Sequence, residues 1–295
     1  MSLLRFYYSG SFKHSCKFKS LILILSTIFG ILLLSPASLK AQGNLLITPR
    51  RVVFEGPKKS MDLNLANTGT DTATYAISLV QIRMKDDGSF ETITEPDPGQ
   101  HFADSYVRFF PRSVTLGPNE AQVVKIQLIK TNELTEGEYR SHFYFRAVPR
   151  QKPLGEEDKI KDSTTISVKL IPVFGITIPV IIRVGESTTK VSLSDLTFHT
   201  LNDTIPQLNM VMNRSGNMSV YGDLAVDYVS LQGKVTRVGI ANGVAVYTPN
   251  LLRRFQFPLN RVPGVDFKAG TLRVLYSASS DVKPVRYAEA ELVLH

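Results

Sequence analysis

The sequence predicts an all-β protein: two β-sandwich domains in series after a cleaved signal peptide. Beyond the leader, apolar and polar residues alternate with the two-residue period of half-buried strands, and no helical pattern of useful length appears. Glycine, proline and asparagine clusters separate these strands at short intervals, as in small sandwiches. The strand pattern pauses at the linker-like sequence RVGES and then restarts. We therefore expect one domain over residues 42–186 and a second, of eight short strands, over residues 187–295.

Residues 1–41 resemble a secretory signal peptide. They contain basic residues and no acidic one, followed by the apolar run LILILSTIFGILLL and the small residues Ala37 and Ala41. We expect cleavage after Ala41. An uncleaved membrane anchor is the alternative, but the 14-residue run is shorter than the roughly 20 residues that span a bilayer. The mature chain is therefore expected to be exported.

The net charge of +8 comes mostly from this leader, which holds five of the 34 basic residues. Removing it leaves 29 basic against 26 acidic residues, a net charge of +3. This is too small to favour nucleic acid as a partner. The single cysteine, Cys16, also lies in the leader, so the expected mature chain has no disulfide and depends on core burial for stability.

Residues 47–68, ITPRRVVFEGPKKSMDLNLANT, contain two strand patterns around the turn sequence Glu55-Gly56-Pro57. We expect two antiparallel strands that form a hairpin across this turn. Arg50 and Arg51 precede the first strand, and successive strand residues point to opposite faces. One of the two arginines must therefore face the sheet's inner or groove side, where a guanidinium favours a carboxylate.

Residues 164–183, TTISVKLIPVFGITIPVIIR, form the longest strand-like run, directly after the polar stretch 150–163. Pro172 and Pro179 have no N–H to donate to a sheet, so at least one side of this strand is expected to be unpaired within the chain. A long apolar edge strand needs a cover or a partner. It could pair with a second copy of this chain, which would hide the alternating apolar residues Ile166, Val168 and Leu170, or a partner could add a strand to it, with alternate side chains filling the partner's groove.

Catalysis is not indicated. His101, His142, His199 and His295 lack metal-ligand spacing, and no nucleophile elbow, zinc-protease or phosphate-loop motif occurs. We expect neither an enzyme nor a metal or other cofactor.

The order RVVFEGPKKSMDLNLANTG, then a Leu-Gly-Pro-Asn-Glu turn, then YRSHFYFRAVP, then a long apolar strand ending in Arg183, resembles the N-terminal domain of PapD-like periplasmic pilus-assembly chaperones. The resemblance implies two immunoglobulin-like domains, a strand donated to a pilin-like subunit, and delivery of that subunit to an outer-membrane usher. It implies that residues 164–183 form the donated strand, that Arg51 is the cleft arginine that binds the subunit's carboxylate, and that Arg183 ties the domains together.

Two departures from the family pattern stand out. The family's cleft lysine falls on Pro179 here, and Lys169 lies earlier in the strand. Arg140 stands where the family has a glutamate partner for the inter-domain arginine, although Glu138 is close. The favoured hypothesis is a periplasmic chaperone of pilus or fimbrial-type subunits. The alternative is a PapD-like structural or adaptor protein of a surface appendage or secretion machine.

Overall fold

The computed structural model describes residues 44–149, 173–202, 204–278 and 285–295. Over these ranges the protein consists of β-strands with two single-turn 3₁₀ helices, so the predicted all-β class is confirmed. No helix in the described ranges is long and apolar enough to cross a bilayer. The leader and the segment 150–172 lie outside these residues.

Ten strands form the first sandwich. They are β1 (Leu45–Thr48), β2 (Val52–Phe54), β3 (Ser60–Asn67), β4 (Ala73–Met84), β5 (Phe90–Ile93), β6 (Val107–Phe110), β7 (Ser113–Leu116), β8 (Ala121–Leu128), β9 (Gly137–Val148) and β10 (Gly175–Val184). One sheet has the order β1-β3-β8-β6, and the other has β2-β10-β9-β4-β5, with β7 also paired to β4. Their inward-facing residues, including Phe54, Leu63, Phe143 and Val180, form one apolar core.

The predicted hairpin across Glu55-Gly56-Pro57 is wrong. β2 pairs in parallel with β10, whereas β3 pairs with β1 and β8 in the other sheet. In both strands apolar residues that face the core alternate with more exposed ones. Every strand of a sandwich has this pattern, so it does not specify which strand is the partner. By contrast, β4 and β5 pair antiparallel on either side of the turn sequence Asp86-Asp87-Gly88 and form a hairpin there.

The pairing of β10 explains the position of Pro179. β10 pairs antiparallel with β9 along its whole length, but its other side pairs with β2 only from Val180 to Ile182. Among the described residues, 175–179 have no partner on this side and form a sheet edge, where a missing N–H removes no ladder hydrogen bond. The edge prediction is confirmed for these five residues and wrong for the three that follow.

Seven strands of the described residues form the second sandwich. They are β11 (Lys190–Leu201), β12 (Ile205–Ser215), β13 (Val220–Val229), β14 (Val235–Val246), β15 (Leu252–Pro258), β16 (Gly270–Ser277) and β17 (Arg286–Leu294). Their sheets have the orders β11-β12-β15 and β14-β13-β16-β17. The separate core that these sheets enclose includes Leu208, Val226, Val274 and Tyr276.

Eight strands were expected in this region, with KVTRVGI and VAVYTP as separate strands on either side of Asn242-Gly243. The structure instead continues β14 through both residues. Gly243 has a φ of 70° and its N–H donates to Oδ1 of Asp223 at 2.8 Å, where the β13–β14 register shifts. The dipeptide forms a bulge, which needs the same left-handed backbone as a tight turn.

A third, smaller apolar cluster joins the two sandwiches. Met84 and Ile181 of the first sandwich pack with Ala245 and Tyr247 of the second, and Val53 and Tyr221 lie against them. We call this contact region the junction. It lies against β10 and beside Arg51 and Arg183, the two arginines to which the resemblance assigns roles.

Candidate inter-domain anion site

The charged face of the junction is built on β9. Because strand residues alternate, Tyr139, Phe143 and Phe145 enter the first core, and Glu138, Arg140 and His142 project from the opposite face. Their antiparallel neighbours on β10 are Arg183, Ile181 and Pro179, in that order. Three buried polar side chains are thus placed in a row against the second sandwich.

Glu138 is fully partnered. Its carboxylate accepts hydrogen bonds from Nε of Arg183 at 3.1 Å, from the backbone N–H and hydroxyl of Ser219 at 3.0 and 2.7 Å, and from the Thr248 hydroxyl at 3.3 Å. Nη2 of Arg183 also donates to the Ser219 carbonyl at 2.8 Å. The predicted inter-domain residue Arg183 therefore contacts both sandwiches. Its buried partner is Glu138, opposite it in the β9–β10 register, and not the residue at position 140.

Arg51 lies just before β2 and differs from its neighbour. Arg50 is exposed, whereas the Arg51 guanidinium lies 4.3 Å from the centre of the Tyr221 ring in the second sandwich. Nε and Nη2 of Arg51 are buried, and neither has a hydrogen-bond partner among the described residues. Burial lowers the pKa of Arg51 below the usual arginine value, and the nearby positive charge of Arg183 acts in the same direction. The sequence argument that one of the two arginines faces a groove is consistent with this position.

Arg140 is a second cation of the same kind. It is 2% exposed and stacks 4.3 Å from the centre of the Tyr247 ring. Nη2 donates to the Thr248 carbonyl at 3.1 Å, but Nε and Nη1 are buried and have no partner in the part of the chain that the structure describes. Burial lowers the pKa of Arg140, and the positive charge of Arg51 lowers it further. Arg51 and Arg140 together are called the arginine site below.

His142 and Phe90 border the arginine site. His142 is buried, and its Nδ1 has no partner within the described ranges. Burial together with the charge of Arg140 lowers its pKa to about 3. The imidazole is therefore neutral at neutral pH. The Phe90 ring lies 6.2 Å from His142 and 6.4 Å from Tyr247, yet it remains 55% exposed. An apolar, solvent-accessible rim therefore lies beside two buried cations.

The chemistry of this arrangement favours an anion. Among the described residues, Glu138 is the one carboxylate that acts on Arg51 and Arg140, and its oxygens already accept from Arg183, Ser219 and Thr248. A planar guanidinium with free N–H groups binds a carboxylate through charge-assisted hydrogen bonds. No group of three histidine, cysteine, aspartate or glutamate side chains that could hold a metal ion occurs in the part of the chain that the structure describes.

The remaining predicted binding residues cannot be placed. Ile166, Val168, Lys169 and Leu170 lie outside the described residues, so their proposed contacts stay predictions. The position expected for the family's lysine holds Pro179, which pairs with His142. Sequence reasoning noted Arg140 only as a departure from the family pattern. It missed Tyr221 and Tyr247, because ordinary tyrosines in distant strands give no signal until the sandwiches are in contact.

No protein-family model matches the sequence. No curated protein matches it either. Solved structures of chaperones are similar to it in fold. The YadV chaperone is 14% identical, with 85% of this chain and 100% of that chain covered and a TM-score of 0.43. The Escherichia coli chaperone DraB is 14% identical, with 84% and 96% covered and a TM-score of 0.40.

The class 5 fimbriae chaperone CfaA is also similar, at 13% identity, with 85% of this chain and 99% of that chain covered and a TM-score of 0.38. Likenesses of this size concern the arrangement of strands. The function is therefore inferred from the geometry of the junction.

Proposed function

We propose that this protein is a periplasmic chaperone that binds pilus or fimbrial-type subunits by β-strand donation, caps them, and delivers them for assembly at the outer membrane. The observation that carries the proposal is the arginine site: two buried guanidinium groups with unpaired N–H groups, next to an open sheet edge. The proposed ligand of Arg51 is the terminal carboxylate of the subunit.

The direction of β10 supports this ligand. β2 runs parallel to β10 and occupies its edge only from Val180 onward, and Arg51 directly precedes β2. A partner strand that pairs with residues 175–179 in the same direction would end beside Arg51. Its last carboxylate would then meet a guanidinium, while its backbone would form ladder hydrogen bonds with β10. In this proposal Ile166, Val168 and Leu170 extend the same edge.

The other parts of the proposal follow from secretion and strand donation. We infer cleavage after residue 41, domain bounds of 42–186 and 187–295, and an outer-membrane usher as the receiver of the subunit. Strand addition and carboxylate binding need no catalysis and no cofactor. A second copy of this chain could cover the open edge of β10 in the absence of a subunit.

The test is affinity capture of the mature protein from the periplasm of the source cells, with Arg51→Ala and the matched control Arg50→Ala. Arg50 is the exposed neighbour, so its replacement changes the net charge equally. Loss of a charge-assisted hydrogen bond of about 1.5–3 kcal/mol predicts roughly 10- to 100-fold less bound subunit for Arg51→Ala. We expect small secreted β-rich subunits with the wild type and Arg50→Ala.

Capture of the same large envelope assembly by all three proteins would contradict the proposal. It would instead support the alternative of a structural or adaptor protein with a permanent interface. Unfolding midpoints of the three proteins, measured beside the capture, establish that Arg51→Ala is folded.

A further inference from the structure

We propose that the bound carboxylate is the missing counterion of the junction, that Arg140 binds it together with Arg51, and that its binding stabilises the contact between the two sandwiches. This inference rests on the ligand class of the proposed function. It adds a second binding residue and a consequence for the stability of the protein. Neither follows from Arg51 alone.

The charges at the junction do not balance. Arg51, Arg140 and Arg183 lie close enough to influence one another or Glu138, and Glu138 is the buried carboxylate among them. Glu55 lies 3.9 Å from Nη1 of Arg183 and is mostly exposed. Glu138 and Glu55 therefore compensate Arg183. Arg51 and Arg140 bury four guanidinium nitrogens that have no acceptor in the described part of the chain.

The second sandwich supplies the surfaces that bury these cations. Arg51 stacks on Tyr221 and Arg140 on Tyr247, each at 4.3 Å. Stacking on an aromatic face attracts a cation, but it provides no acceptor for the N–H groups in the guanidinium plane. Contact between the sandwiches therefore removes two guanidinium groups from water and leaves their donors unpaired, which is costly for a buried charge.

One carboxylate matches what the site lacks. It has two oxygens, and the site presents two guanidinium groups. His142 adds no third positive charge, because its lowered pKa keeps the imidazole uncharged at neutral pH. Phe90, at the exposed rim, would contact the group that carries the carboxylate. A ligand that binds only when Tyr221 and Tyr247 cover the arginines stabilises the joined sandwiches by mass action.

The test is thermal unfolding of the mature protein with N-acetyl-leucine as the carboxylate probe, compared with N-acetyl-leucinamide at equal ionic strength. At about five times its Kd, the carboxylate should raise the unfolding midpoint by about 2–4 °C, and the amide should not. Arg140→Met should raise the midpoint of the free protein and abolish the effect of the carboxylate. Arg112→Met is the matched control, because Arg112 is exposed and stacks on Phe109 at 4.0 Å.

Arg140→Lys keeps the charge and loses the planar guanidinium, so it should retain part of the stabilisation by the carboxylate. This variant replaces Arg140→Met in the test if Arg140→Met does not fold. The proposal is overturned if the carboxylate and the amide act alike on the wild type, or if both Arg140 variants keep the full effect. Because no subunit is present, this result is separate from the capture experiment. Capture that depends on Arg51 without any carboxylate effect would refute this inference alone.

Discussion

Glu138 and Arg140 lie two residues apart on β9, and each belongs to a buried polar cluster. The two clusters differ in whether their polar atoms have hydrogen-bond partners. Around Glu138, each carboxylate oxygen accepts at least one hydrogen bond, and the partners come from both sandwiches. Around Arg140 and Arg51, four buried nitrogens have no partner in the described part of the chain. Glu138 is 3% exposed and Arg140 is 2% exposed, so burial does not distinguish them. The difference indicates that the first stabilises the junction in the free protein and that the second is completed by a ligand.

Arg214 in the second sandwich shows what a structural buried arginine looks like in this protein. It is 4% exposed, and it donates to the carbonyls of Asn250, Gly216 and Met218 at 2.8–2.9 Å. Arg140 is 2% exposed and donates to one carbonyl. At Arg214, backbone carbonyls of the second sandwich therefore satisfy a buried guanidinium without a ligand.

Replacement of the partnered carboxylate should have the largest effect. Glu138→Gln removes the charge that compensates Arg183 and leaves buried cations on both sides of it, so we expect a loss of about 3–5 kcal/mol in the free energy of unfolding. Urea unfolding measures the loss. Glu55→Gln is the control, since that exposed carboxylate lies 3.9 Å from Arg183 and should change stability by less than about 0.5 kcal/mol. Equal effects of the two variants would remove the distinction between the clusters.

The next largest effect concerns the two buried arginines. Arg214→Met leaves three carbonyl acceptors without their donor and should cost about 2–3 kcal/mol. Arg140→Met should change the free energy of unfolding in the opposite direction, because it removes an uncompensated charge. Chemical denaturation of both variants in the absence of ligand measures whether each one gains or loses free energy of unfolding. A similar loss in both would mean that Arg140 is structural as well.

The pH dependence tests the environment of His142. Its pKa is lowered from 6.5 to about 3, so between these values the unfolded chain binds the proton that the folded protein excludes. Stability from this group is complete above pH 6.5 and is lost as the pH falls towards 3, by up to about 1.4 kcal/mol per pH unit. From pH 7 to pH 5 the wild type should lose about 2 kcal/mol more than His142→Gln, measured by urea unfolding. Parallel pH profiles would contradict the buried, neutral state.

The smallest effect is expected for an exposed pair. Lys125 and Asp62 form an ion pair at 2.6 Å between β8 and β3, and both side chains are largely solvent-accessible. Lys125→Ala should change the free energy of unfolding by less than about 0.5 kcal/mol, and less still at high salt. A loss comparable to that of Glu138→Gln would show that burial does not determine how much an ion pair contributes to the stability of this protein.

Sequence patterns identified the strands better than their partners. The alternation in residues 47–68 placed β2 and β3 correctly, but it could not show that they belong to different sheets, because both strands face the same core. Asn242-Gly243 has the composition of either a tight turn or a bulge, and the register of the neighbouring strand decides between them.

The candidate site could be predicted only in part for the same reason. Arg51 was recognisable from its place before β2 and from the resemblance to a known family. The role of Arg140 depends on Tyr247, more than 100 residues away in the second sandwich, and on the prior pairing of Glu138 with Arg183. Unpaired donors become visible only after every available acceptor has been assigned.

The most direct test of the central claim is a structure of the protein bound to a captured subunit. The account predicts the subunit's terminal carboxylate within hydrogen-bond distance of Arg51 and Arg140, with the preceding residues paired in parallel to the β10 edge at 175–179. A subunit carboxylate in solvent, with the nitrogens of both arginines still unpaired, would contradict it.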